Sequence, residues 1–534
     1  MSEIKRVFQV DGKPFFPLGG QVHNSSGYNL SELETAWKAL EAMGANTVEI
    51  PVYWCQVEPE EGQFDFSVLD DLLQGARQHG LKLMLLWFGT WKNGQIEYTP
   101  NWVKGNPERF RRVISAAGYP LGVLSSECRT NFEADRRALS ALMRAIREKD
   151  TEEKTIIAVQ VENEPGILGS DRDYSAEATA TFHGPVPPEL ASQVALHPGT
   201  PVHQAWQAAG AREAGSWPEL FGPHAGEFMT AWQIAHYIDG LAAAGKAVYR
   251  VPMTINVWLG EGGRRLAGEY PSGGAVAKVL DIYKWFTPHI DIIAPDIYSA
   301  SSAGYRFECE AYRRPDNPLF VPESGRAGSN ARHMFYALGQ YDAIGYFAFG
   351  IESMLDQEGN LRPESAPVAA SFRAARLAIP LLLEHQGAGR VHAIVQEEHA
   401  AEQYLDLDGY IGVVRYLDAD TPYPRGYLTP RPASREAVER ARGLVIQVGP
   451  HEFYLVGGPF RVLFKRKPAP DAELTPQAAA RLLAEELPDF YMVEEGYLDE
   501  DGAWRARHWR NGDEVTGGVW VDFRSELVRV VITH

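Results

Sequence analysis

Two glutamates in this sequence stand directly behind apolar, strand-like runs of residues. Glu164 follows the run IIAVQV within VQVENEPGIL, and Glu323 follows the run PLFVP. Two carboxyl groups that face each other can cleave a glycosidic bond, because one protonates the leaving oxygen while the other attacks the anomeric carbon. A separation of about 5–5.5 Å gives retention of configuration, and a wider gap that admits water gives inversion.

Each acid taken alone is explained equally well as a solvated charge at the end of a strand. Glu162 lies two residues before Glu164 and therefore faces the same side of a strand. We expect Glu162 to be a buried hydrogen-bond or charge partner deeper in the fold. Glu164 is the better candidate for the proton donor, because the amide of Asn163 beside it can hold a sugar hydroxyl.

Further polar and aromatic side chains near the predicted strand ends are candidates for binding a sugar. Tyr298 is predicted to donate a hydrogen bond to Glu323 and keep it charged, although a core tyrosine with its hydroxyl at the rim is equally compatible. Trp91 and Trp258 either stack on sugar faces or pack in the core. The candidate substrate-binding residues are Asn163, Trp54 (pocket floor), Trp91, Asn93 (hydroxyl binding), Trp258 and Tyr298.

The elements that must position these residues alternate along the first two-thirds of the chain. Runs that are apolar throughout are typical of strands buried on both faces, as in a parallel sheet. Amphipathic helical patterns separate most of them, which predicts a (β/α)8 TIM barrel with Glu164 and Glu323 after strands four and seven. A doubly wound open sheet is the alternative, but no Gly-rich phosphate fingerprint follows a strand. The predicted strands are 15–20, 46–54, 81–88, 155–161, 251–258, 291–298, 318–322 and 344–350.

The pattern changes after about residue 386. Short strand-like runs follow one another with turn signals such as Asp501-Gly502, and the segment 475–487 is predicted to form one short helix. This pattern indicates an antiparallel β-sandwich. We therefore predict a catalytic barrel domain over 1–385 and a β-sandwich domain over 386–534.

Composition narrows the class of partner. The 534 residues carry a net charge of −19, and no basic cluster is present, which argues against nucleic acid or an anionic membrane. No run of about 18 apolar residues and no signal-peptide pattern is apparent, so a cytoplasmic location is expected. The three cysteines, Cys55, Cys128 and Cys309, are widely separated and suggest neither a disulfide framework nor a zinc site. We expect neither a metal nor a cofactor.

The order of the motifs resembles clan A glycoside hydrolases, in particular the family 35 β-galactosidases. The resemblance rests on QVENEPG, residues 160–166, and on the pattern W-x-x-x-E-P-x-x-G-x-F-D-F, residues 54–66. It implies that Glu164 is the acid/base, that Glu323 is the nucleophile and that the configuration is retained.

The predicted function is that of a retaining, exo-acting β-galactosidase that hydrolyses terminal β-D-galactosides of oligosaccharides in two displacement steps. The alternatives are another retaining clan A β-glycosidase with a different sugar preference and a non-catalytic carbohydrate-binding protein. The expected partner is an oligosaccharide or galactoside, and a homo-oligomer is possible.

Overall fold

The computed structural model describes residues 7–28, 30–260, 264–398, 400–416, 440–468, 475–477, 489–510, 512–515 and 517–533. The short helix predicted for 475–487 lies mostly outside the described residues.

Eight parallel strands form a closed barrel in the first two-thirds of the chain. They pair in the order β7-β6-β5-β4-β3-β2-β1-β8, and a bridge between Val321 and Tyr346 joins the two ends of the sheet. The TIM barrel prediction is therefore confirmed and the open-sheet alternative is wrong. The strands are Leu18–Gln21 (β1), Thr47–Tyr53 (β2), Lys82–Lys92 (β3), Ile156–Asn163 (β4), Met253–Val257 (β5), Ile292–Ile297 (β6), Glu323–Ser324 (β7) and Tyr346–Phe349 (β8).

Strand β7 is shorter than predicted and begins at Glu323 rather than at Pro318. Pro318 and Pro322 lack the N–H group that a regular ladder needs, so the backbone between them makes only scattered bonds to its neighbour. The N–H of Phe347 donates to the carbonyl of Val321 at 2.9 Å. The run PLFVP therefore lies beside β8, but it does not form a continuous strand.

Helices surround the barrel strands and bury their apolar faces against them. In α3, for example, Leu69, Leu72, Leu73 and Ala76 are buried, as the helical spacing of these residues predicts. The helices are Leu30–Met43 (α1), Trp54–Val57 (α2), Ser67–Gln78 (α3), Asn101–Lys104 (α4), Arg129–Asp150 (α5), Ala176–His183 (α6), Pro188–Leu196 (α7), Pro201–Ala208 (α8), Trp217–Phe221 (α9), Ala225–Val248 (α10), Leu280–Phe286 (α11), Ser302–Tyr312 (α12), Gly328–Gly339 (α13) and Ala366–His385 (α14).

Two hairpins complete the barrel region. The strands Phe8–Val10 and Lys13–Phe15 pair with each other, and Phe8 packs edge-on against Phe320 at 5.4 Å between ring centroids. This hairpin covers the apolar residues at the amino ends of the barrel strands. The second hairpin, Arg112–Ile114 with Pro120–Leu124, lies in the long connection after β3. The carboxyl ends of the strands are thus the end left for a site.

The C-terminal strands form two antiparallel sheets that share an apolar core, as expected for a β-sandwich. One sheet has the order β9-β12-β13-β18-β15-β16 and the other β10-β11-β14-β17. The strands are Val391–Val395 (β9), Glu402–Leu407 (β10), Tyr410–Tyr416 (β11), Arg442–Gly449 (β12), Glu452–Gly458 (β13), Phe460–Arg466 (β14), Phe490–Leu498 (β15), Trp504–Trp509 (β16), Val519–Val521 (β17) and Leu527–Ile532 (β18).

The barrel and the C-terminal sheets are joined by packing and by buried polar contacts. Helices α13 and α14 pack against β9 and β12. Arg442 is 1% exposed and donates to Ser371 Oγ and to the carbonyl of Pro367, both on α14. At another point of the interface, Ser302 Oγ at the start of α12 donates to Glu397 Oε2 at 2.8 Å.

One helix differs from the expectation, drawn from the sequence, that no apolar run is long enough to span a membrane. Among the described residues, Ala366–His385 is long and apolar enough to cross a membrane by length and composition. Its most apolar window is 56% buried inside the protein, and it packs on α13 and on the C-terminal sheet. A core helix passes the same test, so this finding is weak evidence for a membrane span.

Replacing Arg442 with leucine is expected to lower the free energy of unfolding by about 2–4 kcal/mol, because Ser371 Oγ and the Pro367 carbonyl lose their buried donor. The shift of the denaturation midpoint measures the loss. Arg505 on β16 is the matched control, since its side chain is 60% exposed and pairs with Asp499 on the surface. Arg505→Leu should change stability by no more than about 0.5 kcal/mol, and equal effects of both variants would contradict the prediction.

Candidate active site

The two glutamates predicted as a pair meet at the carboxyl ends of the barrel strands. Glu164 directly follows β4 and is 6% exposed, and Glu323 begins β7 and is 4% exposed. Carboxylate oxygens of Glu164, Glu323 and Asp296 lie within 4.8 Å of one another. The structure therefore brings the predicted pair together and adds a third carboxyl group from the end of β6.

The backbone at the end of β4 is unusual. Glu162 and Glu164 both adopt positive φ angles, 64° and 46°, which non-glycine residues rarely do. The N–H of Glu164 donates to Asn256 Oδ1 at 2.8 Å. Asn93 also has a positive φ angle, 53°, and its Nδ2 donates to Glu164 Oε2 at 2.6 Å. Strain of this kind persists where surrounding contacts impose it, and it clusters at functional sites.

Glu323 is surrounded by hydrogen-bond donors. Tyr298 OH donates to Oε2 at 2.7 Å, and Gln21 Nε2 donates to Oε1 at 3.0 Å. Asn256 Nδ2 lies 3.3 Å from Oε1 as a weaker third donor. The predicted contact between Tyr298 and Glu323 is confirmed. These donors compensate a negative charge on Glu323, as a nucleophilic carboxylate requires.

Glu164 has a different environment. Burial and, to a smaller extent, the negative charge of Glu323 raise the pKa of Glu164 to about 7, although the ammonium of Lys92 and a hydrogen bond from Asp296 act in the opposite direction. Burial also raises the pKa of the neighbouring Asp296 well above its ordinary value, and the charges of Glu323 and Glu164 act in the same direction. Two carboxyl groups in such contact share one proton. Glu164 can thus be protonated near neutral pH while Glu323 has donors for its charge.

Two polar residues of this centre were not predicted from the sequence. Asp296 is 4% exposed, and its Oδ2 accepts from Asn256 Nδ2 at 2.8 Å. Asn256 is fully buried and also contacts Glu164 and Glu323. A signal was present, because Asp296 precedes Tyr298 by two positions and Asn256 precedes Trp258 by two. Alternation along a strand places such pairs on one side.

Of the predicted binding residues, four lie at or beside the carboxyl groups. Asn93 contacts Glu164, and Tyr298 contacts Glu323. Asn163 is fully buried and accepts from Lys92 Nζ at 2.8 Å. Trp258 lines a cavity of about 570 Å³ together with Asp296 and Tyr298. This cavity opens the buried centre toward solvent.

The structure does not bring Trp54 and Trp91 to the pocket, so these two predictions are corrected. Trp54 is fully buried, and its indole N–H donates to Glu58 Oε2 at 2.9 Å. Trp91 is 1% exposed and packs edge-on against Tyr237 at 4.9 Å between ring centroids. Neither ring has surface left to contact a sugar.

Glu162 lies where the sequence predicts it, as a buried hydrogen-bond partner deeper in the fold. It is fully buried, and its Oε2 accepts from the backbone N–H of Trp91 at 2.7 Å. Burial raises its pKa well above the ordinary value, and the adjacent Asp135 adds to that effect. Asp135 in turn accepts from Thr90 Oγ1 at 2.7 Å, which ties the ends of β3 and β4 to α5.

The three carboxyl groups also meet the distance requirement for three ligands of a metal ion. Glu164 and Glu323, however, already accept from Asn93 and Tyr298, whereas Asp296 Oδ1 has no hydrogen-bond partner among the described residues. A cation bound to all three groups would compete with these donors, whereas a shared proton leaves them in place. The donor set therefore fits proton transfer better than metal binding.

Another carboxyl group lies below this centre, on β2. Glu49 is fully buried beside Gln21 in the strand register, and neither of its oxygens has a hydrogen-bond partner among the described residues. Burial raises the pKa of Glu49 well above its ordinary value, and the charge of Glu323 adds to the effect. This shift favours the protonated form of Glu49 in the folded protein.

Two family models match parts of the chain. The model Glyco_hydro_42, described as β-galactosidase, matches residues 27–195, which include Glu164 but not Glu323. A domain of unknown function, DUF5597, matches residues 368–522. The prediction of family 35 is corrected in this respect, since the matching model is Glyco_hydro_42, whereas the similarity to β-galactosidases holds.

Curated relatives are similar over part of the chain. A β-galactosidase of Xanthomonas manihotis is 32% identical over 190 residues, which cover 33% of this chain and 28% of the relative. A β-galactosidase of Arthrobacter sp. is 25% identical over 286 residues, covering 50% of this chain and 36% of the relative. The chain thus spans about a third of the length of these relatives.

Among solved structures, a β-galactosidase from the psychrophilic Marinomonas ef1 is 13% identical, with 69% of this chain and 61% of that chain covered. The TM-score of this comparison is 0.48.

Replacing Glu49 with glutamine is expected to stabilise the protein at pH 8 more than at pH 5. Unfolded glutamate loses its proton above pH about 4.3, whereas folded Glu49 retains it, so the wild type loses stability as pH rises. The neutral amide removes this pH-dependent loss. The difference in melting temperature between variant and wild type should grow by about 2 °C or more over this range. The exposed Glu153→Gln is the control, and a difference that stays constant with pH would contradict the prediction.

Proposed function

We propose that this protein is a retaining β-glycosidase that acts on β-D-galactosides. One observation carries the proposal: oxygens of Glu164 and Glu323 lie within 4.8 Å of each other at the mouth of the barrel. This spacing fits the short separation of a double-displacement enzyme and leaves no room for the water that an inverting enzyme places between its acids.

In the first step, Glu323 attacks the anomeric carbon and forms a glycosyl ester. Protonated Glu164 donates its proton to the glycosidic oxygen, and the aglycone leaves as an alcohol. The donors Tyr298, Gln21 and Asn256 hold Glu323 charged and oriented before the attack. As the ester forms, Glu323 loses its negative charge, which lowers the pKa of Glu164.

In the second step, Glu164 is a carboxylate and acts as the base. It takes a proton from water, and the water oxygen attacks the anomeric carbon of the ester. The sugar leaves with its original configuration, and Glu323 regains its charge. The pKa of Glu164 of about 7 suits both tasks, because the group is close to equally protonated and ionised at neutral pH.

The choice of galactose and the exo mode are inferences from similarity. The matching family model and the curated relatives carry the name β-galactosidase. The proposed substrate is an oligosaccharide that ends in a β-D-galactosyl group. A cytoplasmic location and a homo-oligomer stay predictions, which cell fractionation and the mass in solution test.

An array of aryl β-glycosides tests the reaction and the sugar together. We expect the wild type to cleave the β-galactoside with the highest kcat/KM and to release β-galactose first, as seen by NMR. Preference for another sugar would replace the galactose assignment by that of another retaining clan A β-glycosidase. Binding of galactosides without cleavage of any glycoside would favour a carbohydrate-binding protein.

Variants of the two glutamates are part of this experiment. Glu323→Gln should abolish turnover, and Glu164→Ala should lower kcat on poor leaving groups by about 10²–10⁴-fold. With an activated aryl galactoside, azide should restore turnover of Glu164→Ala and yield the β-galactosyl azide, since the small anion enters the space left by the carboxyl group. Retained activity in both variants would sink the mechanism.

Replacing Asp296 with alanine should move the alkaline limb of the kcat/KM pH profile to higher pH. Glu164 must be protonated for the first step, and a hydrogen bond from Asp296, whose own pKa lies well above its ordinary value, lowers the pKa of Glu164. Removing that hydrogen bond lets Glu164 keep its proton to higher pH. The measurement needs a galactoside with a poor leaving group, and Asp70→Ala on the surface is the control. A limb that stays in place would show that Asp296 does not tune Glu164.

A further inference from the structure

A second cavity adjoins the one that is lined by Asp296, Tyr298 and Trp258. It has a volume of about 250 Å³, and its walls include Pro201, Tyr270, Ala277 and Lys278. Leu259, Phe307 and Glu308 line both cavities. These three residues therefore form a ridge between the two cavities, and Asp296 connects the first cavity with the buried carboxyl groups.

Phe307 is the exposed part of this ridge. It belongs to α12, and half of its surface is accessible to solvent. Its neighbours along the helix, Tyr305 and Cys309, are by contrast fully buried. An aromatic ring that faces two cavities offers a flat apolar surface, which suits the C–H face of a sugar ring.

The far wall of the second cavity carries compensated charge. Lys278 forms a salt bridge with Glu227, and Tyr270 OH donates to Glu227 Oε1 at 2.5 Å. The Lys278 side chain remains one-third exposed, so its ammonium group can donate a further hydrogen bond. A wall with paired charges and a spare donor suits a neutral, hydroxyl-rich ligand rather than an ion.

We propose that the second cavity binds part of the aglycone of an oligosaccharide substrate. The sugar bound there lies at least one unit beyond the sugar that is bonded to the terminal galactose. The proposal rests on the proposed function and specifies its substrate class as galactosyl chains longer than a disaccharide. The terminal galactose occupies the carboxyl centre, the next sugar lies toward Phe307, and a further sugar enters the space beyond the ridge. Catalysis is then fastest on chains long enough to cross the ridge.

The experiment compares β-linked galacto-oligosaccharides of two and four units. With the wild type, kcat/KM for the tetrasaccharide should exceed that for the disaccharide by about tenfold, since one buried sugar contact of about 1.4 kcal/mol has that effect. Ala277→Trp fills the second cavity and should reduce this ratio to about one. Phe307→Ala should reduce it several-fold by removing the aromatic surface.

Tyr491→Ala is the matched control, because it removes a 74% exposed aromatic ring on β15, in the C-terminal sheets. It should leave the ratio unchanged. Thermal unfolding of Ala277→Trp checks its fold, and Phe307→Ala, which only removes volume at the surface, provides an independent reading.

The outcomes separate the two proposals. Cleavage of both oligosaccharides with equal kcat/KM, or a ratio that survives in both variants, overturns the second-cavity proposal and leaves the proposed function intact. Absence of cleavage of every galactoside overturns both. Loss of the ratio in both variants with cleavage of the disaccharide retained supports the extended substrate.

Discussion

Repulsion among buried carboxyl groups is the constraint on which the site depends. Glu164, Asp296 and Glu323 lie within 4.8 Å of one another and are nearly inaccessible to water. Three negative charges at that spacing would be prohibitively costly at low dielectric, so protons and donors must be distributed among them. Donors collect around Glu323, and the shared proton resides on Glu164 and Asp296. The proposed division into nucleophile and acid follows from this distribution.

The surrounding structure maintains that distribution. Asn256 bridges the backbone of Glu164 and the side chains of Asp296 and Glu323, and so fixes the ends of β4, β6 and β7 relative to one another. Below it, the raised pKa of Glu49 disfavours a further negative charge next to Glu323. The positive φ angle of Glu164 is maintained by these contacts, because its backbone N–H has a fixed acceptor.

The sequence alone predicts the barrel and the meeting of Glu164 with Glu323 at its carboxyl end, because both depend on local patterns. Apolar runs separated by amphipathic helices repeat eight times, and two of the runs end in glutamate. The failures have physical reasons. Trp54 and Trp91 follow or end strands as pocket residues do, but a tryptophan beside a strand tip is equally able to turn into the core. Strand seven was placed too early, because its prolines look apolar yet lack donors.

Asp296 and Asn256 were missed, although their alternation with Tyr298 and Trp258 is a signal, because each lies inside a mostly apolar run that predicts a buried strand. Their distances to Glu164 depend on barrel closure, which joins residues that lie far apart in sequence. Long-range geometry of this kind is absent from any local pattern.

The contact between Ser302 and Glu397 bears on how the two parts of this chain evolve. Glu397 follows β9, and the hydrogen bond anchors the first turn of α12, the same helix that presents Phe307 to the cavities. A wall of the barrel's cleft is thereby braced by residues of the C-terminal sheets. Loss of those sheets, or their replacement by another domain, would remove this contact. The barrel and the sheets are therefore expected to be inherited as one unit.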